Sequence, residues 1–439
     1  MARDDVLSPA EAAPVSQAVG RTEQNPHYVL FILYVICLFS YVDRQLIALL
    51  APSIQKELHL KDWQLGFVSG TAFAVLYVVM GIPLSRLADR TNRVRMLGIC
   101  LAAWSVATAA CGGVTSFLQL ALARVGVAIG EAGGYPPSIS LIGDLYPPQR
   151  RATAISIFLS ATTAGSLISL TVGGIVSESL GWRWAFFLAA IPAVILVPLL
   201  WLTVREPVRG QADAGAMLSA PADERFGGAF RTLLAKPLFV WILAALAVAN
   251  LETFSLAAWT PTYALRTFGL GPAKVGLGLG LALGVGSGLV MICAGGLADR
   301  MTRRWRMSAV YIAILGQIVF VPLLLITMQV HDFTRFCLLY AVTYGCTIAL
   351  GPMTMAAAQA IVPAPLRGTA AAMLIMTATL AGYGAGPPLI GAISDFFATG
   401  SPAERLRLAL SLGTVFSAFS ALFLARGAWV ARERGEAGT

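Results

Sequence analysis

Charge is what this sequence has least of: 12% of its 439 residues are Asp, Glu, Lys or Arg, where a soluble domain carries about 25%. A polar shell cannot be drawn over a chain of this length with so few charges, which excludes a soluble enzyme. Histidine is almost absent as well. The three present, His27, His59 and His331, lie far apart and form no HExxH, so they offer neither a metal site nor a proton relay. The six cysteines (Cys37, Cys100, Cys111, Cys293, Cys337, Cys346) contain no CxxC pair. That leaves no zinc or disulfide framework, and most read as small buried hydrophobes. No Gly-Lys-Ser/Thr follows the glycines at 278, 280, 284, 286 and 288, so there is no phosphate loop; close helix packing accounts for them. No nucleophile–base pair appears either, and neither enzyme activity nor a cofactor is expected.

What the chain has instead is apolar length. It is 57% hydrophobic, with a mean hydropathy of +0.75. Apolar runs fall at about 29–50, 64–86, 96–114, 117–143, 152–177, 184–203, 237–260, 274–298, 307–329, 335–359, 367–394 and 405–427. Each can cross a hydrocarbon core ~30 Å thick as a helix. The polar segment 1–27 has no apolar stretch with a small-residue cleavage site, so the first run is expected to stay as a helix. The polar stretch 204–236 divides the runs into two sets of six. The expected organisation is a tail (1–27), a six-helix bundle (28–203), a flexible linker with a short surface helix (204–236), a second bundle (237–427) and a tail (428–439). Counting Lys and Arg over the loops, tails and run ends, all but Arg44 and Arg124, places 21 on the side of the termini and 8 on the other. The positive-inside rule then puts both termini in the cytoplasm, which requires an even number of crossings. The net charge of +9 is therefore orientation, and no nucleic-acid partner is implied.

The halves repeat. Ser85-Arg86-Leu87-Ala88-Asp89-Arg90-Thr91-Asn92-Arg93 returns 210 residues later as Gly295-Gly296-Leu297-Ala298-Asp299-Arg300-Met301-Thr302-Arg303. Arg151-Ala152-Thr153-Ala154 returns as Arg367-Gly368-Thr369-Ala370 at an offset of 216, and Gly174-Ile175-Val176-Ser177-Glu178 as Gly391-Ala392-Ile393-Ser394-Asp395 at 217. Parallel six-helix halves are the architecture of transporters that rock around a central site. The L-A-D-R-x-x-R element in both halves resembles the signature of the major facilitator superfamily. Within it the first half is similar to the Spinster family of lipid transporters. That likeness rests on Tyr41-Val42-Asp43-Arg44, on Asn92 before Arg93, and on Arg124 with Gly130-Glu131-Ala132. It extends to Ile142-Gly143-Asp144-Leu145-Tyr146 and Arg205-Glu206-Pro207. Ser85 and Ala128 stand where the superfamily more often has glycine, and Glu252 has no counterpart expected from the family. The resemblance implies an all-α fold of twelve transmembrane helices in two pseudo-symmetric bundles. It also implies a single-tailed lipid or similar amphiphile with a charged head as substrate, in a monomer of a bacterial inner membrane.

An ionisable residue deep in a membrane helix is expensive and marks function by default. Five qualify: Asp43, Arg44, Arg124, Glu131 and Glu252. Arg124 and Glu131 share a helix face about 10.5 Å apart along the axis, too far to pair directly, while Asp43 and Arg124 fall at similar depth. The five charges sum to −1, so at least one acid should bind a proton readily. The expected roles are proton coupling for Asp43, with Arg44 as its charge partner, and substrate binding for Arg124, Glu131 and Glu252. An arginine fork suits a phosphate or carboxylate head. Asp89, Arg90, Arg93, Asp144, Asp299, Arg300 and Arg303, at the cytoplasmic helix ends, are expected to gate that side by pairing and capping. Tyr77, Trp104, Tyr135, Trp259, Tyr263 and Tyr383 are candidates to line an amphipathic cavity. The competing readings are a proton-coupled transporter of small organic anions or drugs, a membrane sensor that does not transport, and an uncoupled lipid scramblase.

Overall fold

Hydrocarbon offers no water to peptide groups, so a chain crossing it must pair them internally, and the apolar runs do so as helices. The computed structural model describes residues 24–213, 226–305, 309–363, 366–397 and 399–433. The first half comprises α1 (Pro26–Leu58), α2 (Asp62–Arg90), α3 (Arg93–Gly112), α4 in two pieces (Phe117–Ala132 and Tyr135–Leu145), α5 (Pro148–Ser179) and α6 (Trp182–Thr203). The second comprises α7 (Pro237–Phe268), α8 (Pro272–Met301), α9 (Ala309–Thr327), α10 (Phe333–Ile361), α11 (Arg367–Phe396) and α12 (Pro402–Glu433). Among the described residues 11 of these are single stretches long and apolar enough to cross a membrane.

The twelfth crossing is α4, which breaks at Gly133–Gly134. At Gly130 and Gly133 α3 leaves no room for a side chain: a Cβ at Gly130 would lie 2.6 Å from that of Trp104, and one at Gly133 would run into Cys100 Sγ. That α4 crosses follows from its exit, where Tyr146 meets His27 at the start of α1 (3.0 Å) and Asp144 accepts the Gly210 N–H of the linker (2.8 Å). Most helices outrun the apolar runs that mark them. Asn25 and Asn92 cap α1 and α3 through side-chain oxygens, and Pro26, Pro148, Pro237 and Pro272 fit the first turn, where no N–H is needed. The linker carries the expected short helix, Phe226–Leu234, and Arg209 ties its first part to α2 by donating to the Ala88 and Thr91 carbonyls. Residues 1–23, 214–225 and 434–439, within the expected tails and linker, lie outside the described residues.

The chain thus returns both ends to the linker side: Gln24 exchanges two hydrogen bonds with the Arg205 backbone (2.9 and 3.0 Å), and Gly427 of α12 packs on Trp241 of α7. Burial shows how the halves meet. On the linker side each half has its own core, around Leu33, Leu97 and Phe158 in the first and around Phe239, Ile242 and Leu374 in the second. On the far side one core runs through both, from Leu50 and Phe186 to Trp259, Phe336 and Ile390. Bonds between the halves follow the same division. Arg266 of α7 holds Asp62 of α2 through Nη1 (3.0 Å) and Nη2 (2.6 Å), Ser394 of α11 donates to the same carboxylate (2.8 Å), and Thr262 of α7 reaches the Ala48 carbonyl of α1 (3.2 Å). The far side is closed.

Candidate functional site

One face of α1 carries the site. Cys37, Ser40, Tyr41 and Arg44 recur at helical spacing and line a narrow cleft of about 50 Å³ together with Tyr77 of α2, Trp104 of α3, Glu131, Tyr135 and Ser138 of α4, and Phe158 of α5. Its centre is ionic. Arg44 Nε donates to Glu131 Oε2 at 2.7 Å, and Ser40 Oγ donates to the same oxygen at 2.9 Å. Aromatic rings surround the guanidinium: its carbon lies 5.0, 4.8 and 4.7 Å from the ring centroids of Tyr41, Phe73 and Tyr77. Cation–π attraction strengthens where water is excluded, so these rings compensate part of the cost of burying the arginine. Glu131 Oε1 is buried without a hydrogen-bond partner among the described residues.

Asp43, one residue before Arg44, turns about 100° away and faces α3. Thr108 Oγ1 donates to its Oδ2 at 2.9 Å, and Oδ1 has no partner among the described residues. Arg124 also lies over Phe73, 5.3 Å from the ring centroid, with its Nε unpaired among the described residues. Asp43, Arg124 and Glu131 are each 2% exposed. The expected approach of Asp43 to Arg124 makes no direct bond among the described residues, and Arg44, expected as the charge partner of Asp43, pairs with Glu131 because its helix face turns that way. Four of the five intramembrane charges therefore form one group, two positive and two negative.

Glu252 is not part of it. It lies in the other half, 2% exposed between α7 and α12, where Ser417 Oγ donates to Oε2 and Oε1 is unpartnered. The aromatic candidates divide in the same way. Tyr77, Trp104 and Tyr135 line the cleft. Tyr383 packs tilted against Phe254, ring centroids 4.0 Å apart, and reaches Phe73 at 6.3 Å. Trp259 and Tyr263 belong to the far-side core, donating to the Pro387 carbonyl (2.8 Å) and the Met328 carbonyl (3.1 Å).

At the linker side the structure singles out Arg93. It is 1% exposed and donates from Nε to Glu206 (2.6 Å), from Nη1 to Ser140 (2.7 Å) and to Asp144, and from Nη2 to the Pro207 carbonyl (3.2 Å). Glu206 returns to α3 by accepting the Val94 N–H (3.1 Å). This network ties α3, α4 and the linker within one half. Asp89 and Arg90 are exposed and form no ion pair among the described residues; Asp299 and Arg300 are exposed at the matching end of α8. The Arg303 side chain lies outside the described residues. Sequence reading missed Glu206 and Thr108 as partners because 113 and 65 residues separate them from Arg93 and Asp43. It missed Phe73 because an apolar ring in an apolar helix carries no signal.

Comparison with known proteins agrees with the fold. The family model of the Major Facilitator Superfamily matches residues 33–374. An MFS-type efflux pump of Mycolicibacterium smegmatis is 33% identical, over 87% of this chain and 87% of its own. Protein spinster homolog 1 of Xenopus laevis is 26% identical over 86% of this chain and 74% of its own. Among solved structures, a bacterial homologue of the human lysosomal transporter Spinster, in an inward-facing and unoccupied conformation, superposes with a TM-score of 0.83. It is 28% identical and covers 92% of this chain and 96% of its own.

Proposed function

The chain belongs to the Major Facilitator Superfamily, and on that premise we propose that this multi-pass membrane transporter moves an anionic amphiphile, such as a lysolipid, by proton-coupled alternating access. The observation that carries the reading is the Arg44–Glu131 pair in a cleft with aromatic and apolar walls. An anionic head competes with Glu131 for Arg44, while the tail lies against Ile36, Tyr135 and Phe158. Arg124, beyond Phe73, holds the second positive charge at the same depth.

Charge balance supplies the coupling. Asp43 and Glu131 against Arg44 and Arg124 leave the group neutral, and an arriving anion makes it −1. An uncompensated charge in a low-dielectric interior is costly, so one proton taken up at Asp43 restores neutrality. Asp43 suits that role, with one hydroxyl donor and one oxygen without a partner. The sequence count of 21 basic residues on the side of the termini against 8 on the other supports a linker side that faces the cytoplasm. The closed far side supports the reading of an inward-facing state, in a monomer of a bacterial inner membrane. The likeness to a protein named as an efflux pump supports a second reading, proton-coupled export of small organic anions or drugs. Flux in proteoliposomes separates the two. Lysolipids should move with a pH gradient and slow without one; movement of hydrophilic anions alone would remove the lipid reading.

A further inference from the structure

The repeat Gly174…Glu178 and Gly391…Asp395 has no part in the cleft, yet both copies serve one purpose on the far side. Near the end of α5, Glu178 Oε2 accepts the Ala273 N–H (2.9 Å) in the first turn of α8, in the opposite half. Its carboxylate lies over Gly271, where a Cβ would come within 2.6 and 2.8 Å of the two oxygens. Near the end of α11, Asp395 Oδ1 and Oδ2 accept the N–H groups of Asp62 (3.2 Å) and Trp63 (2.8 Å), the first turn of α2 in the other half. Four residues before each acid the helices touch backbone to backbone. A Cβ at Gly174 would collide with the Pro272 carbonyl, and one at Gly391 with the backbone of Asp62 and Trp63. Glycine thus lets the helices meet, and the acid one turn later satisfies N–H groups that a helix start leaves open. Each carboxylate also sits at the positive end of the helix dipole. The two contacts run in opposite senses: the first half closes on the second through Glu178, and the second on the first through Asp395.

We propose that Glu178 and Asp395 are a pair of pseudo-symmetric latches that hold the far side shut and must both let go for it to open. The proposal rests on the alternating-access reading above. Glu178 is exposed and Asp395 only half-buried, so water can replace the helix N–H groups when the halves part, and the latches open reversibly. The pair closes two seams at once, α5 on α8 and α11 on α2, which one acid alone could not do.

Hydrogen–deuterium exchange on the full chain in nanodiscs tests this with Glu178→Ala, Asp395→Ala and the double variant. A helix cap lost at either site should shift the closed–open balance about fivefold, and both together about 25-fold if they act independently. The expected result is faster exchange along both seams, at the α2 and α8 starts and the α5 and α11 ends, even when one acid is changed. Slower exchange at the linker-side helix ends should accompany it. Glu178→Gln and Asp395→Asn keep an acceptor and should fall between, which separates latch loss from misfolding. Change confined to the capped turn itself overturns the proposal. Faster exchange at both seams with no response on the linker side keeps the latches and refutes the alternating access they rest on.

Discussion

Replacing Glu131 by Gln isolates the competition placed at the centre of transport. The substitution keeps shape and leaves an amide oxygen where Oε2 accepts from Arg44 Nε at 2.7 Å and Ser40 Oγ at 2.9 Å. What it removes is the negative charge. A hydrogen bond to a charged partner contributes ~1.5–3 kcal/mol and a neutral one ~0.5–1.5, so Arg44 is held more weakly by about 1–2 kcal/mol. An anion that takes Arg44 from its partner gains that difference, a tightening of about 5- to 30-fold. Equilibrium binding of a lysophospholipid across pH 5.5 to 8 measures it. In the unaltered protein anion binding takes up a proton, so affinity should rise as pH falls. In Glu131→Gln affinity should already be high at the upper end of that range and vary less with pH. Binding that weakens, or that keeps the full pH dependence, would refute the competition. Lower thermal stability alone would not, since Arg44 loses part of its compensation in either case.

Asp43→Asn should leave anion binding measurable but abolish the acceleration of flux by a pH gradient in proteoliposomes; gradient-driven flux that survives unchanged rules out Asp43 as the coupling acid. Arg93→Ala should lower stability by about 3–5 kcal/mol, because Asp144 and Glu206 are left without their partner. Thermal unfolding reads this, and Arg93→Lys should recover only part, since one ammonium cannot replace donors spread over three nitrogens.

The fold was legible because burial in lipid writes itself as apolar length, and the internal offsets near 216 fixed two parallel halves. Hydropathy could not see the break in α4, since Gly133 and Gly134 do not interrupt the apolar run and the crowding at Gly133 comes from Cys100 on another helix. The site was legible by depth and not by direction. Asp43, Arg44, Arg124 and Glu131 were identifiable as costly charges, but which pairs with which depends on helix rotation, and Arg44 and Glu131 are 87 residues apart. Glu252 shows the same limit. Its depth matches a substrate-binding residue, while its helix face turns it to Ser417. The repeated acids Glu178 and Asp395 stood out as a motif, but only the meeting of the halves shows what they bind.

The central claim is that one anion and one proton enter a neutral group of four charges together. Proton uptake on ligand binding, followed with a pH dye in weakly buffered detergent solution, tests it directly. Uptake approaching one proton per lysolipid bound, lost in Asp43→Asn, is the expected result. Saturable binding with no proton uptake between pH 5.5 and 8 would contradict the account.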